Sequence, residues 1–155
     1  MTQRLVVVGA ILLAYAIGVS AQSNALLGVW ELNLPKSNYQ HDARPLTETR
    51  SYKECEGGGV GTHVETTYVN WRVAVTTFCT RLDGKEYPYY SRIADSIKAT
   101  GSHWGEFVAT ISESGKVVRT TRTAVSQDGK TLTRTTSYPG EKGTDLQVYD
   151  KQPYR

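Results

Sequence analysis

Residues 116–138 read KVVRTTRTAVSQDGKTLTRTTSY, two runs rich in Val and Thr on either side of the turn sequence Asp128-Gly129-Lys130. β-Branched residues favour strands, and glycine supplies the positive φ that a tight hairpin turn requires. The stretch therefore predicts an antiparallel hairpin with strands at Lys116–Val125 and Thr131–Tyr138.

The same pattern repeats along the chain, and helical periodicity is almost absent. Turn sequences also occur at Asp83-Gly84-Lys85, Ser114-Gly115-Lys116 and Pro139-Gly140. About ten short strands, with no segment long enough for a parallel crossover, predict an all-β, antiparallel up-and-down barrel of about eight to ten strands. The further predicted strands are Leu27–Leu34, Leu46–Cys55, Val60–Val69, Trp71–Leu82, Glu86–Tyr89, Arg92–Ala99, Glu106–Ser112 and Asp145–Asp150.

One segment, Pro35–Pro45, lacks strand character. It is polar and has proline at both ends, which is typical of a loop. We expect it to lie across one end of the barrel, with room for a short helical turn.

The first 21 residues have the pattern of a secretory signal peptide. Arg4 precedes the apolar run Leu5–Val19, and Val19-Ser20-Ala21 provides a cleavage site. The run is shorter than the roughly 20 residues that span a bilayer, and no Cys follows it for lipid attachment. We therefore expect one domain over residues 22–155 and an exported protein, periplasmic or extracellular, without stable membrane insertion.

The charge of the mature chain is close to neutral. Without Arg4, 17 of the 18 basic residues remain against 15 acidic residues, and they are spread along the sequence. A nucleic-acid surface needs Lys and Arg clustered on one face, so we expect no nucleic-acid partner.

Cys55 and Cys79 are the two cysteines of the chain. In an oxidising compartment, such a pair favours a disulfide over a metal site, and two free buried thiols are the alternative. Hairpins centred near residues 58 and 70 place both cysteines level with Gly61 on the strand between them. Strands two apart are about 9.6 Å distant, beyond the roughly 7 Å limit, but a glycine between them allows closer approach.

Register decides which side chains of the 116–138 hairpin face the interior. A type I turn with a glycine bulge places Arg122 opposite Arg134. Alternation then points Arg122, Arg134 and Tyr138 inward, since successive strand side chains face opposite sides. Two inward arginines repel each other and need hydrogen-bond partners, so we predict that both bind the carboxylate or phosphate of a ligand.

Two alternatives remain open for these arginines. A two-residue Asp-Gly turn shifts the register by one residue and places Arg122 opposite Thr135, which separates the pair. The other alternative is that the arginines lie on the surface or form ion pairs with interior carboxylates such as Glu65 or Asp150.

Three short motifs lie in order along the chain: GVWELN at Gly28–Asn33, DGKEYP at Asp83–Pro88 and VYDK at Val148–Lys151. With these motifs the chain resembles the calycin superfamily, and it is most similar to small exported bacterial lipocalin-like proteins of unassigned function. Fatty-acid-binding proteins are more distantly similar. The resemblance implies a barrel that holds a small apolar molecule without changing it chemically.

The resemblance also implies roles for individual residues. Fatty-acid-binding proteins hold their ligand with an Arg before the last hairpin turn and an Arg-x-Tyr in the final strand. Arg122 fits the first position, whereas Gln147 and Tyr149 stand at the second, so Arg134 would replace the missing Arg. Trp30 matches the first-strand Trp that closes the barrel floor in calycins, and its alternation with Leu32 favours packing over ligand contact.

Catalytic motifs are weak in this sequence. The three histidines are scattered without metal-ligand spacing, and no nucleophile elbow or phosphate loop occurs. We therefore predict no enzymatic activity, no metal and no cofactor.

The predicted function is binding of a small hydrophobic or amphipathic ligand, anionic if the two arginines face inward, by a monomer. The alternative is a filled barrel that acts as a structural or protein-interaction module without a small-molecule ligand. The residues predicted to contact the ligand are Trp30, Arg122, Arg134, Tyr138, Gln147 and Tyr149.

Overall fold

All ten predicted strand regions contain a strand in the computed structural model, which describes residues 24–153. The signal peptide lies outside the described residues. No helix within 24–153 is both long and apolar enough to cross a membrane. The strands are β1 (Gly28–Leu32), β2 (Thr47–Cys55), β3 (Gly59–Thr67), β4 (Val73–Thr80), β5 (Asp83–Tyr90), β6 (Ser96–His103), β7 (Glu106–Glu113), β8 (Lys116–Val125), β9 (Thr131–Ser137) and β10 (Asp145–Lys151).

The ten strands form a closed antiparallel up-and-down barrel, as predicted. Each strand pairs with the next along the chain, and β1 closes the barrel by pairing with β10. The turns after β3, β5, β7 and β9 lie at one end, which we call the open end. The turns after β2, β4, β6 and β8 lie at the other, the closed end.

Glycines with positive φ build the turns and one bulge. Ser114 and Gly115 join β7 to β8 with φ values of 50° and 77°, the conformation that a two-residue hairpin requires. The predicted turn at Asp83-Gly84-Lys85 is wrong, because these residues begin β5 and the chain reverses at 81–82. Gly84, with φ of 73°, instead lies at a register shift between β5 and β6.

A disulfide joins Cys55 of β2 to Cys79 of β4 across β3, as predicted. The Cα atoms are 6.3 Å apart, much closer than two strand spacings. Cys79 lies level with Gly61, and Cys55 lies level with Gly59 instead. A Cβ atom on Gly59 would approach the Cys55 Sγ to 3.0 Å and the Thr80 carbonyl oxygen to 2.6 Å. The bare backbone of β3 therefore allows the bridge to pass over it.

Residues 33–45 form a strap between β1 and β2. The strap contains the expected helical turn, a 3-10 turn at Leu34–Lys36, and then bridges to β10 through Asn38 and Leu146. Farther along, the Asp145 carboxylate accepts the backbone N–H groups of Gln40, His41 and Asp42 at 2.6, 2.9 and 2.9 Å. These bonds fix residues 42–45 at the open end, where they line the cavity described below.

Apolar side chains fill the closed half of the barrel. Trp30 and Leu132 are fully buried there, and the Trp30 indole donates to the Leu26 carbonyl oxygen at 2.8 Å. The cavity among these side chains has a volume of only about 30 Å³, room for about one water molecule. Trp30 thus packs in the floor, as its alternation with Leu32 indicated.

Candidate functional site

The register of the β8–β9 hairpin differs from the first of the two predicted registers. Arg122 lies opposite Thr135, and Arg134 lies opposite Thr123, as in the alternative. In the turn between the strands, the Ser126 Oγ atom accepts the Thr131 backbone N–H, and the Asp128 carboxylate accepts that of Lys130.

This register makes the prediction of paired inward arginines wrong. Thr121 and Thr123 of β8 are buried, so Arg122 between them points outward. Its side chain is 66% exposed and forms an ion pair with Glu106 on the outer surface. Arg122 is therefore no part of an interior site.

A cavity of about 670 Å³ occupies the open half of the barrel. Its mouth is formed by strap residues 42–45, the β3–β4 turn at 68–72 and residues 91–93 after β5. Inward-facing side chains along its walls are small, among them Thr66, Ala74, Thr76 and Thr136. Short side chains leave this half open, whereas large ones fill the other.

A layer of buried polar side chains separates the cavity from the filled half. The Glu48 carboxylate accepts hydrogen bonds from the Tyr149 hydroxyl at 2.6 Å, Arg50 Nη1 at 3.0 Å and the Thr66 hydroxyl at 2.9 Å. The Arg50 Nε atom donates to the Tyr52 hydroxyl at 3.0 Å. Every oxygen of this carboxylate is thus engaged within the protein.

The polar layer is held in its charged form. Burial acts to raise the pKa of the Glu48 carboxyl, but the charges of Arg50 and Arg134 and the donated hydrogen bonds outweigh it, so the pKa lies below its ordinary value. Burial and the adjacent Glu48 charge raise the pKa of the Tyr149 hydroxyl. Tyr149 therefore remains a neutral donor and Glu48 remains an anion.

Arg134 projects from β9 into the junction between the two halves and lines both cavities. Its Nη1 atom donates to the Gln147 Oε1 atom at 2.9 Å, since the two residues face each other across β9 and β10. No ion pair among the described residues includes Arg134. Its guanidinium group therefore has the Gln147 amide as a hydrogen-bond partner, and no carboxylate lies within ion-pair distance among the described residues.

Arg119 is a second inward arginine. The predicted inward position of Arg122 would have placed Arg119 on the outer face, since the two lie three residues apart on one strand. It lies on β8 three residues before Arg122, with its side chain only 17% exposed. Its Nη2 atom donates to the Tyr89 hydroxyl at 3.0 Å, and Nη1 lies 3.6 Å from Asp42. The Nε atom is buried and has no partner among the described residues.

Besides Arg122, three more of the predicted ligand residues lie away from the cavity surface. The Trp30 ring packs in the floor, with the Lys151 Nζ atom 5.0 Å from its centroid. Tyr149 is fully buried beneath Glu48. Tyr138 donates to Asp145 at 3.0 Å and supports the strap. Of the predicted set, Arg134 and Gln147 line the cavity.

Arginine is the dominant charged residue of the cavity. Six of the ten arginines in the chain line it, together with two acids, Asp42 and Glu48, and its described lining includes no lysine. Guanidinium groups present planar donors that match carboxylate and phosphate oxygens. The six are Arg44, Arg50, Arg72, Arg92, Arg119 and Arg134.

A gap in the barrel wall extends the cavity sideways. β4 and β5 pair only at Thr77–Tyr90 and Phe78–Tyr89. Above these pairs, residues 74–76 of β4 and residues 91–93 line the cavity from opposite sides of the gap. The cavity lining therefore continues from the open end into this gap.

Metal-binding chemistry has no support in the described part of the chain, where no three His, Cys, Asp or Glu side chains gather as a metal site. Comparison with the profiles of known families and with curated proteins gives no match.

Proposed function

We propose that this protein is an exported, calycin-like binding protein that holds a small amphipathic ligand with an anionic head group. The observation that carries the proposal is the 670 Å³ cavity with Arg134 at its inner end. Binding cavities for small molecules have volumes of roughly 300–1,000 Å³ and combine apolar walls with a few convergent polar groups. The closed ten-stranded barrel is the architecture that the calycin resemblance implies.

The inner end of the cavity suits an oxyanion. Arg134 has the Gln147 amide as its partner, and Arg119 has a buried Nε atom without one. Arg50 and Arg134 share the negative charge of one buried carboxylate, Glu48, so a bound carboxylate or phosphate would supply a second negative charge beside them. Glu48 does not compete for this role, because its oxygens are engaged by Tyr149, Arg50 and Thr66.

The outer part of the cavity suits an apolar tail. Val64, Ala74, Val75 and Ile93 are apolar residues of the cavity lining. A ligand bound with its head group inward would place its tail along these residues and toward the gap between β4 and β5.

Export is supported by the Cys55–Cys79 disulfide, since such bonds persist in oxidising compartments. The open cavity favours ligand binding over the filled-barrel alternative. The absence of enzymatic activity stays a prediction.

The test is titration of the chain from residue 22 with dodecanoate and, in parallel, with uncharged dodecanol. We expect Arg134→Gln to weaken dodecanoate binding roughly 10- to 100-fold, since a hydrogen bond to a charged group contributes about 1.5–3 kcal/mol. Dodecanol binding should stay unchanged, because the alcohol carries no charge. Isothermal calorimetry measures both affinities.

Arg122→Gln is the matched control, since this arginine lies on the outer surface and should leave both affinities unchanged. Equal effects of the two substitutions on dodecanoate would contradict the head-group site. Failure of the unsubstituted chain to bind either probe, together with a bare mass in native mass spectrometry of the exported protein, would instead favour the filled-barrel alternative.

A further inference from the structure

The exposed apolar side chains of the molecule are concentrated at the cavity mouth. Val69 and Trp71 of the β3–β4 turn are 70% and 80% exposed, Val73 of β4 is 51% exposed, and Ile93 beyond β5 is 52% exposed. Monomeric proteins rarely expose contiguous apolar side chains without an interaction purpose. We name these four residues, together with Arg44, Arg72 and Arg92, the rim patch.

Trp71 is presented to solvent by a strained backbone. Its φ of 58° lies in the left-handed region, where glycine or asparagine is usual and a bulky residue is rare. The turn is closed by hydrogen bonds from Trp71 N to the Tyr68 oxygen and from Tyr68 N to the Arg72 oxygen, at 2.8 and 2.9 Å. The turn thus holds an exposed indole at a position that costs free energy.

Positive charge accompanies the apolar residues. Arg44, Arg72 and Arg92 are exposed and line the mouth of the cavity. Asp42 is the one acid of the mouth lining, and it lies 3.6 Å from Arg119. Asp95, two residues after Ile93, accepts the Ser114 backbone N–H at 2.8 Å and so is directed toward the β7–β8 turn.

We propose that the rim patch docks reversibly on the surface of a bilayer containing anionic phospholipid. Trp is favoured at the boundary between lipid tails and head groups, and short aliphatic side chains enter the same layer. Each arginine near an anionic surface strengthens binding about fivefold. A protein partner or a second copy would not need three cations beside the Trp, whereas an anionic lipid surface matches both features.

Docking in this orientation places the cavity mouth and the β4–β5 gap against the lipid. An amphipathic molecule could then pass between bilayer and cavity without crossing water. This placement does not depend on which molecule the cavity binds, so the docking test is independent of the ligand titration above.

The test is flotation of the chain from residue 22, which contains the whole barrel, with vesicles of equal parts phosphatidylglycerol and phosphatidylcholine. Vesicles of phosphatidylcholine alone are the comparison. We expect the protein to float with the anionic vesicles, less so in high salt, and to show a blue shift of its tryptophan emission. Trp30 is buried, and Trp104 lies in the β6–β7 turn at the closed end, away from the rim patch. The shift should therefore be lost in Trp71→Asn.

Two variants and two controls test the rim patch. Trp71→Asn suits the left-handed backbone and should weaken binding about tenfold, the low end for removing a large apolar side chain from its site. The double variant Arg72→Gln/Arg92→Gln should weaken binding about 25-fold. Val29→Thr, an exposed residue of β1 at the closed end, and Arg122→Gln should bind as the unsubstituted chain does.

No flotation with anionic vesicles would overturn the proposal, as would flotation that the rim variants leave unchanged. Analytical ultracentrifugation tests whether the rim patch binds a second copy of the chain. A dimer of the unsubstituted chain that Trp71→Asn dissociates, without vesicle binding, would assign the rim patch to a second copy instead.

Discussion

The closed and open halves of the barrel share one sheet and one alternation of side chains, yet one is filled and the other holds a cavity. In the closed half, inward positions carry Trp30, Phe107 and Leu132, and about 30 Å³ remains empty. In the open half, Thr66, Ala74 and Thr136 stand at such positions, and about 670 Å³ remains. Side-chain volume on the inward face, and not strand pairing, therefore decides where a barrel stays hollow.

A layer of buried polar and charged side chains also separates the two halves. The layer of Glu48, Arg50 and Tyr149 lies between them, with Arg50 stacked 5.6 Å from the Tyr149 ring centroid. Apolar packing stabilises one side of this layer, and the other side faces the cavity. The closed half therefore supplies stability, and the open half contains the proposed binding site.

Removal of the Glu48 carboxylate should produce the largest loss of stability. Glu48→Ala leaves Arg50 buried without its counter-charge, which costs about 3–5 kcal/mol of unfolding free energy. Glu106→Ala is the matched control, because it removes the partner of the exposed Arg122 and should cost at most about 1 kcal/mol. Urea unfolding measures the stability of both variants. Similar losses would show that the buried Glu48–Arg50 pair contributes no more to stability than the exposed Arg122–Glu106 pair.

Truncation of apolar side chains should affect the two halves differently. Leu132→Ala opens an enclosed void in the closed half and should cost about 3 kcal/mol. Val64→Ala enlarges a cavity that is already open and should cost about 1 kcal/mol. The same unfolding measurement applies. A larger loss for Val64→Ala would show that the open half also supports the fold.

The strap at the open end should make the stability of the fold depend on pH. Three backbone N–H groups hold the pKa of Asp145 below its ordinary value of 3.8, although burial acts to raise it. A lowered pKa in the folded state stabilises the fold at neutral pH, and this contribution is lost as the pH falls through the folded value.

Asp145→Asn should therefore reduce stability at pH 7 by about 1–3 kcal/mol. At pH 3 the difference from the unsubstituted chain should be smaller, because the carboxyl of the unfolded chain binds a proton below its ordinary pKa of 3.8 and the folded carboxylate then loses part of its stabilising effect. Unfolding curves at the two pH values measure this change, with Glu141→Gln in the neighbouring loop as the control. A difference that stays constant with pH would assign the loss to altered packing and not to charge.

The fold could be predicted from local sequence because strand and turn preferences depend on only a few neighbouring residues. The β8 strand lies at its predicted bounds, and the turn at Ser114–Gly115 forms as its glycine indicated. The Asp83-Gly84-Lys85 error has the same local origin, since a glycine with positive φ fits a bulge as well as a turn.

The site was harder to predict because it depends on register and on contacts between distant residues. One residue of slip in the β8–β9 turn exchanged Arg119 for Arg122 as the inward arginine of β8. Arg134 was assigned to the correct face, but its contact with Gln147 was not predicted. Glu48 gave no local signal, because its partner Tyr149 is 101 residues away.

Pairing of β1 with β10 has a consequence for biosynthesis. The barrel cannot close until residues 145–151 are available, because β1 pairs with β10, the last strand. All-β folds with such distant pairings form in milliseconds to seconds, slower than helical bundles. In the export proposed above, the order of the strands would delay closure of the barrel until residues 145–151 have crossed the membrane.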